Sequence, residues 1–150
     1  MLLNREFQKL LQCLNREKVK YLIVGAYAVM FYAEPRFTQD IDIWVKADRT
    51  NAHKILRALK HFGLPVEDIT VDDLTNPELM YQIGKEPCRI DILLGIEGVT
   101  FEESWKNRKS AGLKENRVSF IGLNELIKNK KKSKRLQDII DLKKLRYVAR

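Results

Sequence analysis

Asp40-Ile41-Asp42 is the first place in the sequence where residue type and spacing demand a chemical explanation. Aspartate is depleted inside strands. Yet residues 38–45 alternate strictly, with Gln39, Ile41, Ile43 and Val45 on one face and Asp40, Asp42 and Trp44 on the other. At a rise of about 3.3 Å per residue, the two aspartate backbones stand about 7 Å apart on one face. Carboxylates this close repel unless a proton or a cation lies between them. A hard divalent ion such as Mg²⁺, which prefers oxygen ligands, relieves that repulsion. Arg89-Ile90-Asp91-Ile92-Leu93-Leu94 repeats the device, with one aspartate in an otherwise apolar run. If the two strands are neighbours, Asp40, Asp42 and Asp91 form a site for one or two Mg²⁺ ions. Such ions activate an attacking hydroxyl and stabilise a leaving phosphate. On its own, an Asp-X-Asp pair is usually a solvated strand face, and it also occurs in metal-dependent sugar transferases.

The segment that delivers these carboxylates carries a second signal. Tyr21-Leu22-Ile23-Val24 reads as a short buried strand ended by Gly25, and a helix over 26–33 begins at once, stopped by Glu34-Pro35. A glycine lets the backbone approach a phosphate closely, and helix N-terminal N–H groups attract it. The chain then returns through Pro35-Arg36-Phe37-Thr38 into the Asp-X-Asp strand. One strand–Gly–helix–strand unit therefore presents an anion cradle beside a metal pair. Thr38 is either an ordinary strand residue or a group that orients Asp40.

The remaining elements follow from periodicity. Residues 3–17 repeat apolar at helical spacing (Leu3, Phe7, Leu10, Leu11, Leu14), with Cys13 beside that face. Residues 50–62 form a helix with Ala52, Ile55, Leu56, Leu59 and Phe62 inward; residues 65–78 are acidic and irregular, a short helix or a loop. Residues 80–83 and 88–94 form a hairpin through Gly84-Lys85-Glu86-Pro87. Thr100 opens a short helix over 100–107 with Glu103 completing a capping box. Residues 117–121 form a further strand. Two helices close the chain, over 123–132 and 136–148. The second has Leu136, Ile139, Ile140, Leu142, Leu145 and Val148 inward and Lys143, Lys144 and Arg146 on other faces. Tyr27, Phe31 and Tyr32 belong to the core, and Trp44 is a packed strand residue. No linker divides the chain, so residues 1–150 read as one domain, a sheet-containing core over 1–122 and basic helices over 123–150. The expected class is α/β (α+β): a short mixed sheet with helices mainly on one side and two C-terminal helices.

Composition excludes several alternatives. Residues 126–150 hold ten Lys or Arg against two Asp, which accounts for the whole formal excess of +8. The protein is a neutral body with a basic end, which points to one local anionic partner rather than a coat of positive charge. An apolar fraction of 45% is too high for disorder. The longest uncharged apolar run, residues 22–33, falls short of the about 20 residues a membrane span needs. The first residues lack a signal pattern. Two cysteines, Cys13 and Cys88, make neither a disulfide framework nor a zinc motif, which leads us to expect a reducing, cytoplasmic setting. His53 and His61 lie in one helix, against a histidine-based metal or triad site.

Leu22-Ile23-Val24-Gly25-Ala26-Tyr27-Ala28-Val29 followed by Pro35-Arg36-Phe37-Thr38-Gln39-Asp40-Ile41-Asp42-Ile43 resembles the signature of the minimal nucleotidyltransferases of the polymerase-beta superfamily. Within it, the resemblance is to the bacterial nucleotidyltransferase-like group related to AbiEii-type toxins. It extends to Arg89-Ile90-Asp91-Ile92-Leu93, to Leu126-Ile127-Lys128-Asn129-Lys130, and to Arg135-Leu136-Gln137-Asp138-Ile139-Ile140-Asp141-Leu142. It implies that Gly25 and Ala26 contact nucleotide phosphates, that Asp40 and Asp42 bind Mg²⁺, and that Asp91 completes the metal site and helps deprotonate the acceptor. It further implies that Lys130 lies near the triphosphate and that Arg135, Asp138 and Asp141 form a closing helical motif. With Thr38, Gly25, Ala26, Lys130 and Arg135 are the expected nucleotide-binding set. Where the family has a second glycine or a serine this chain has Ala26, so backbone N–H groups replace a hydroxyl. The implied reaction moves a nucleoside monophosphate from a nucleoside triphosphate to an acceptor hydroxyl, in a toxin–antitoxin or another setting. The sequence does not name the acceptor: RNA (tRNA included) and protein are candidates, and toxin, antitoxin, antibiotic-modifying and housekeeping roles all stay open, with no membrane partner and a homodimer as one expected assembly.

Structural alternatives stand beside these roles. Lys130 also suits a solvated basic run, Arg135 and Asp138 a surface ion pair, and Asp141 a pair with Lys144 or Lys134. The basic cluster over 128–135 suits either a polynucleotide or a charged connection. A second reading is therefore an inactive module on the same fold that binds RNA or a partner protein through its basic end.

Overall fold

The computed structural model describes residues 4–84, 88–113, 115–133 and 135–150. Asn4 caps the first helix by accepting from the Phe7 N–H, and α1 (Arg5–Arg16) buries Phe7, Leu10, Leu11 and Leu14. The alternation of apolar residues produces β1 (Tyr21–Val24) and β2 (Asp40–Val45), joined through α2 (Gly25–Tyr32). Asp48 caps α3 (Arg49–Phe62), which Gly63 ends in a left-handed conformation. A single 3-10 turn, Asp73–Thr75, is the one helical piece of the acidic segment. Then come β3 (Met80–Ile83), β4 (Arg89–Leu93), α4 (Phe101–Lys106), β5 (Lys109–Leu113), β6 (Asn116–Phe120), α5 (Leu123–Lys132) and α6 (Leu136–Ala149).

The strands form one six-stranded mixed sheet in the order β3-β4-β2-β1-β6-β5. β2 pairs β4 and β1 pairs β6 in parallel; the other pairs are antiparallel. β1, with both faces buried, fits a continuous apolar strand. Helices α1 and α3 pack on each other, and Asn51 ties α3 to the sheet by bonding Lys20 N at 2.8 Å, Lys20 O at 3.1 Å and Lys46 O at 2.9 Å. The aromatic residues expected in the core are there. Tyr27 meets Phe7 edge-on, Phe31 stacks on Phe120 with centroids 4.2 Å apart, and Tyr32 donates to Ile121 O. Trp44 packs edge-on against Phe101.

Four expectations need correction. The Asp-X-Asp strand begins at Asp40 rather than at residue 38, because the Thr38 hydroxyl turns onto the Asp40 main chain. β5 was not expected: it is an edge strand with no apolar alternation, held by its pairing to β6. The capping box is only half made. Thr100 accepts from Glu103 N, but the Glu103 carboxylate is drawn to Lys128 Nζ at 2.7 Å.

The largest difference is α6. It buries Asp138, Asp141 and Leu145, while Leu136, Ile139, Ile140 and Val148, expected inward, are exposed; Leu136 is 73% accessible. The ion pairs described below decide that orientation. Residues 85–87 of the expected hairpin turn, Leu3 and Lys134 lie outside the described residues.

Candidate active site

Gly25 stands where β1 turns into α2, at φ +65°, and a β-carbon there would lie 2.2 Å from Asp42 Oδ2. Only glycine lets this backbone pass so near the carboxylate. Val24, the residue that caps α2, supplies no side-chain acceptor, so the first-turn N–H groups have no side-chain cap.

The parallel register of β2 and β4 places Asp42 directly opposite Asp91, and Asp40 opposite Arg89. Neighbouring strands lie about 4.8 Å apart, so the neighbour relation required of the three aspartates is met. Asp91 is buried. Burial pushes the Asp42 carboxyl up to about 6, helped by the charge of Asp91, by a hydrogen bond shared with Asp91, and by Asp40; Lys130 opposes the shift.

Arg89 lies against the other side of the cluster. Its Nε donates to Asp91 Oδ1 at 2.9 Å, and its terminal nitrogen to Asp91 Oδ2 at 3.1 Å and Asp40 Oδ2 at 3.2 Å. The remaining Asp40 oxygen, Oδ1, is buried with no hydrogen-bond partner among the described residues. An orphaned carboxylate oxygen beside an all-oxygen donor set is what a hard cation would complete, so the residues fit Mg²⁺. Among the described residues, however, no three acidic, cysteine or histidine side chains are gathered into a ready metal cage. Arg89 spans Asp40 and Asp91 instead. Thr38 Oγ1 accepts from Asp40 N at 3.4 Å and lies 3.3 Å from Asp40 O, which steadies the start of β2.

The closing helices supply the cations. Lys130 on α5 is buried; its Nζ donates to Asp138 Oδ1 at 2.5 Å and lies 3.4 Å from Asp141 Oδ2. Asp138 also accepts from the Ser133 hydroxyl and from Arg135 Nε at 2.8 Å. Burial by itself would raise the Asp138 carboxyl, but bonds from Lys130, Ser133 and Arg135 outweigh it and hold the group down at about 2. Asp141 accepts from Arg36 at 3.2 Å and from Gln137 at 2.9 Å. Arg36, Asp141, Lys130, Asp138 and Arg135 thus form a continuous ion network that ties the segment before β2 to α5 and α6. Lys130 is no solvated surface lysine, and Arg135–Asp138 is no surface pair, because Asp138 is buried. Asp141 finds Arg36 and Lys130; Lys144 pairs with Glu34 instead.

Two cavities open onto this cluster. One, of about 460 Å³, is lined by Val24 and Gly25 and by three acidic and three basic side chains, Asp42, Glu97 and Asp138 with Lys130, Lys132 and Arg135. The other, of about 470 Å³, is lined by all eight residues singled out from the sequence: Gly25, Ala26, Thr38, Asp40, Asp42, Asp91, Lys130 and Arg135. Arg36, Arg89 and Gln137 line it too and were not singled out. Arg89 was legible in principle, since it precedes Asp91 by two residues and shares its strand face. Arg36 was not, because its partner Asp141 is 105 residues away.

Among the described residues, no helix is long and apolar enough to cross a membrane. No curated protein matches the sequence. Among solved structures, the lincosamide antibiotic adenylyltransferase LnuA, in a lincomycin-bound crystal structure, is similar over 98% of this chain and 98% of its own, with a TM-score of 0.60 and 19% identity. That likeness is one of fold: the same mixed sheet and helices in a chain of matching extent. A family model described as "Nucleotidyl transferase of unknown function (DUF2204)" matches residues 3–150, and the chain belongs to this family of nucleotidyl transferases.

Proposed function

We propose that the chain moves a nucleoside monophosphate from a nucleoside triphosphate to an acceptor hydroxyl, with Mg²⁺ held by Asp40, Asp42 and Asp91 and pyrophosphate released. The observation that carries this reading is the placement of Asp42, opposite Asp91 in a parallel pair and beneath the Gly25 backbone. Mg²⁺, when bound, supplies charge stabilisation to the α-phosphate and to the leaving pyrophosphate. The chain's own groups do the rest. The α2 N-terminus and the Gly25 backbone would face the phosphates, and Lys130 and Arg135, which line the cavity of about 460 Å³ together with Asp42, Glu97 and Asp138, would meet the triphosphate charge. Asp91 takes the acceptor proton as the acceptor oxygen bonds to the α-phosphorus and the bond to the β-phosphate oxygen breaks.

The acceptor we favour is a small hydroxylated molecule. A cavity of about 470 Å³ is of the size that encloses one, and the structurally similar LnuA is named for adenylyl transfer to an antibiotic. A macromolecular acceptor, the RNA of a toxin-type reaction included, has weaker support in the exposed Lys131 and Lys132. The homodimer has one supporting observation, the apolar residues exposed along α6.

The test is transfer of label from each of the four α-labelled nucleoside triphosphates to a panel of hydroxylated small molecules and, separately, to cellular RNA. Label on a small molecule, lost in the Asp40→Ala/Asp42→Ala double variant, is the expected result. Label on RNA alone would reverse the choice of acceptor. Label that survives the double variant would remove the carboxylates from the reaction.

A further inference from the structure

Metal-free, three neighbouring aspartates must be neutralised by something the protein itself supplies. A cation on β4 touches two of them directly. Arg89 brings a guanidinium to Asp40 and Asp91 through three contacts of 2.9, 3.1 and 3.2 Å. The guanidinium occupies carboxylate oxygens that a metal would need. It takes both oxygens of Asp91 and one of Asp40, carboxylate oxygens that a divalent cation would compete for, while the buried Asp40 Oδ1 has no hydrogen-bond partner among the described residues. A planar fork bonded bidentately to one carboxylate and singly to a second holds both at fixed spacing. It cannot share those oxygens with a divalent ion, because the two cations would repel at contact. It also has somewhere to go: Arg89 lines the 470 Å³ cavity and its side chain is 29% exposed.

We propose that Arg89 is a positioning residue, an internal counter-cation that holds Asp40 and Asp91 at ligand spacing in the metal-free protein and yields them to the metal. Metal loading would then be an exchange, in which a divalent ion takes the place of the guanidinium and the guanidinium turns into the cavity. This rests on the metal-dependent reading above. The register of the two strands builds the device, since Arg89 faces Asp40 across the ladder and shares a face with Asp91.

The probe is Mn²⁺ alone, titrated into nucleotide-free protein at pH 7 and read by the loss of its free spin-resonance signal. Arg89→Gln removes the competing charge while keeping a polar amide that reaches about as far as the guanidinium Nε. It is expected to bind Mn²⁺ about tenfold to a hundredfold more tightly than wild type, the range set by a charge-assisted contact to a carboxylate. Its melting temperature is expected to fall without metal and to gain more from Mn²⁺ than wild type does. Arg89→Lys keeps the charge without the fork, so it is expected to fall between the two; it carries the test should Arg89→Gln fail to fold. Mn²⁺ affinity that is unchanged or weaker in both folded variants overturns the proposal. A residue that serves packing alone would lower the melting temperature and leave Mn²⁺ affinity where it was. Asp40→Ala separates the two levels. Mn²⁺ binding that needs Asp40 but ignores Arg89 ends this inference alone, whereas binding that ignores Asp40 ends the metal reading with it.

Discussion

Replacing Gly25 with alanine puts a methyl group where the Asp42 carboxylate now stands. The added carbon would lie 2.2 Å from Asp42 Oδ2, 3.0 Å from its Cγ and 3.1 Å from its Cβ. Relieving the first contact to an ordinary van der Waals distance requires the carboxylate to move by about 1 Å, and a misplacement of that size beside a reacting centre costs about a hundredfold in rate. The backbone at φ +65° adds a left-handed strain of about 1–2 kcal/mol for any residue with a β-carbon. Gly63→Ala is the matched control: it also has positive φ, at +106°, but its β-carbon would meet nothing within 4 Å. Both variants are expected to lose stability in urea melts, and only Gly25→Ala is expected to lose about two orders of magnitude in nucleotidyl transfer. The comparison is made at a temperature where both are fully folded. Gly25→Ala with activity within about threefold of wild type would refute the reasoning, because the carboxylate position would then be immaterial.

Other expectations follow from the same geometry. The Asp42 carboxyl is raised to about 6 from 3.8, so its protonated form favours the metal-free fold below about pH 4 and that contribution is lost as pH rises through 6. Since metal binding needs the ionised form, Mn²⁺ affinity is expected to rise about tenfold per pH unit up to about pH 6 and then level off; a titration series from pH 5 to 8 reads this. Asp138, held at about 2, works in the opposite sense. Its contribution is present above about pH 4 and lost as pH falls towards 2, about 2 kcal/mol in all, and Asp138→Asn is expected to flatten that acid limb of the stability curve. Lys130→Met is expected to cost about 3 kcal/mol in chemical denaturation, because it leaves buried carboxylates short of a partner. Leu145→Ala is expected to cost about 2–4 kcal/mol, and Leu136→Ala, at an exposed position, less than about 0.5 kcal/mol. The reverse ranking would return α6 to the orientation its sequence suggests.

That helix shows where sequence reasoning runs out. Apolar residues recur all round α6, so helical period alone singles out no face. The choice falls to Asp138 and Asp141, which turn inward because Lys130 and Arg36 meet them there. Those partners come from α5 and from the segment before β2, and a spacing rule within one helix does not see them. β5 was hidden for a related reason. Lys109-Ser110-Ala111-Gly112-Leu113 has neither alternation nor a strong β-former at its centre, and only the β6 ladder makes it a strand. The Asp40–Asp42 strand and the Asp91 strand were legible because period two is a local property. Their adjacency was an inference, and the parallel register that sets Asp42 against Asp91 and Asp40 against Arg89 is information only the fold holds.

The central claim is that these carboxylates carry nucleotidyl transfer. Its most direct test couples two readings, label transferred from an α-labelled nucleoside triphosphate to the acceptor found by the panel and pyrophosphate released in the same reaction, for wild type and for Asp42→Asn. Wild type is expected to release one pyrophosphate for each nucleotide transferred, and folded Asp42→Asn to do neither. Transfer by Asp42→Asn at the wild-type rate would contradict the account.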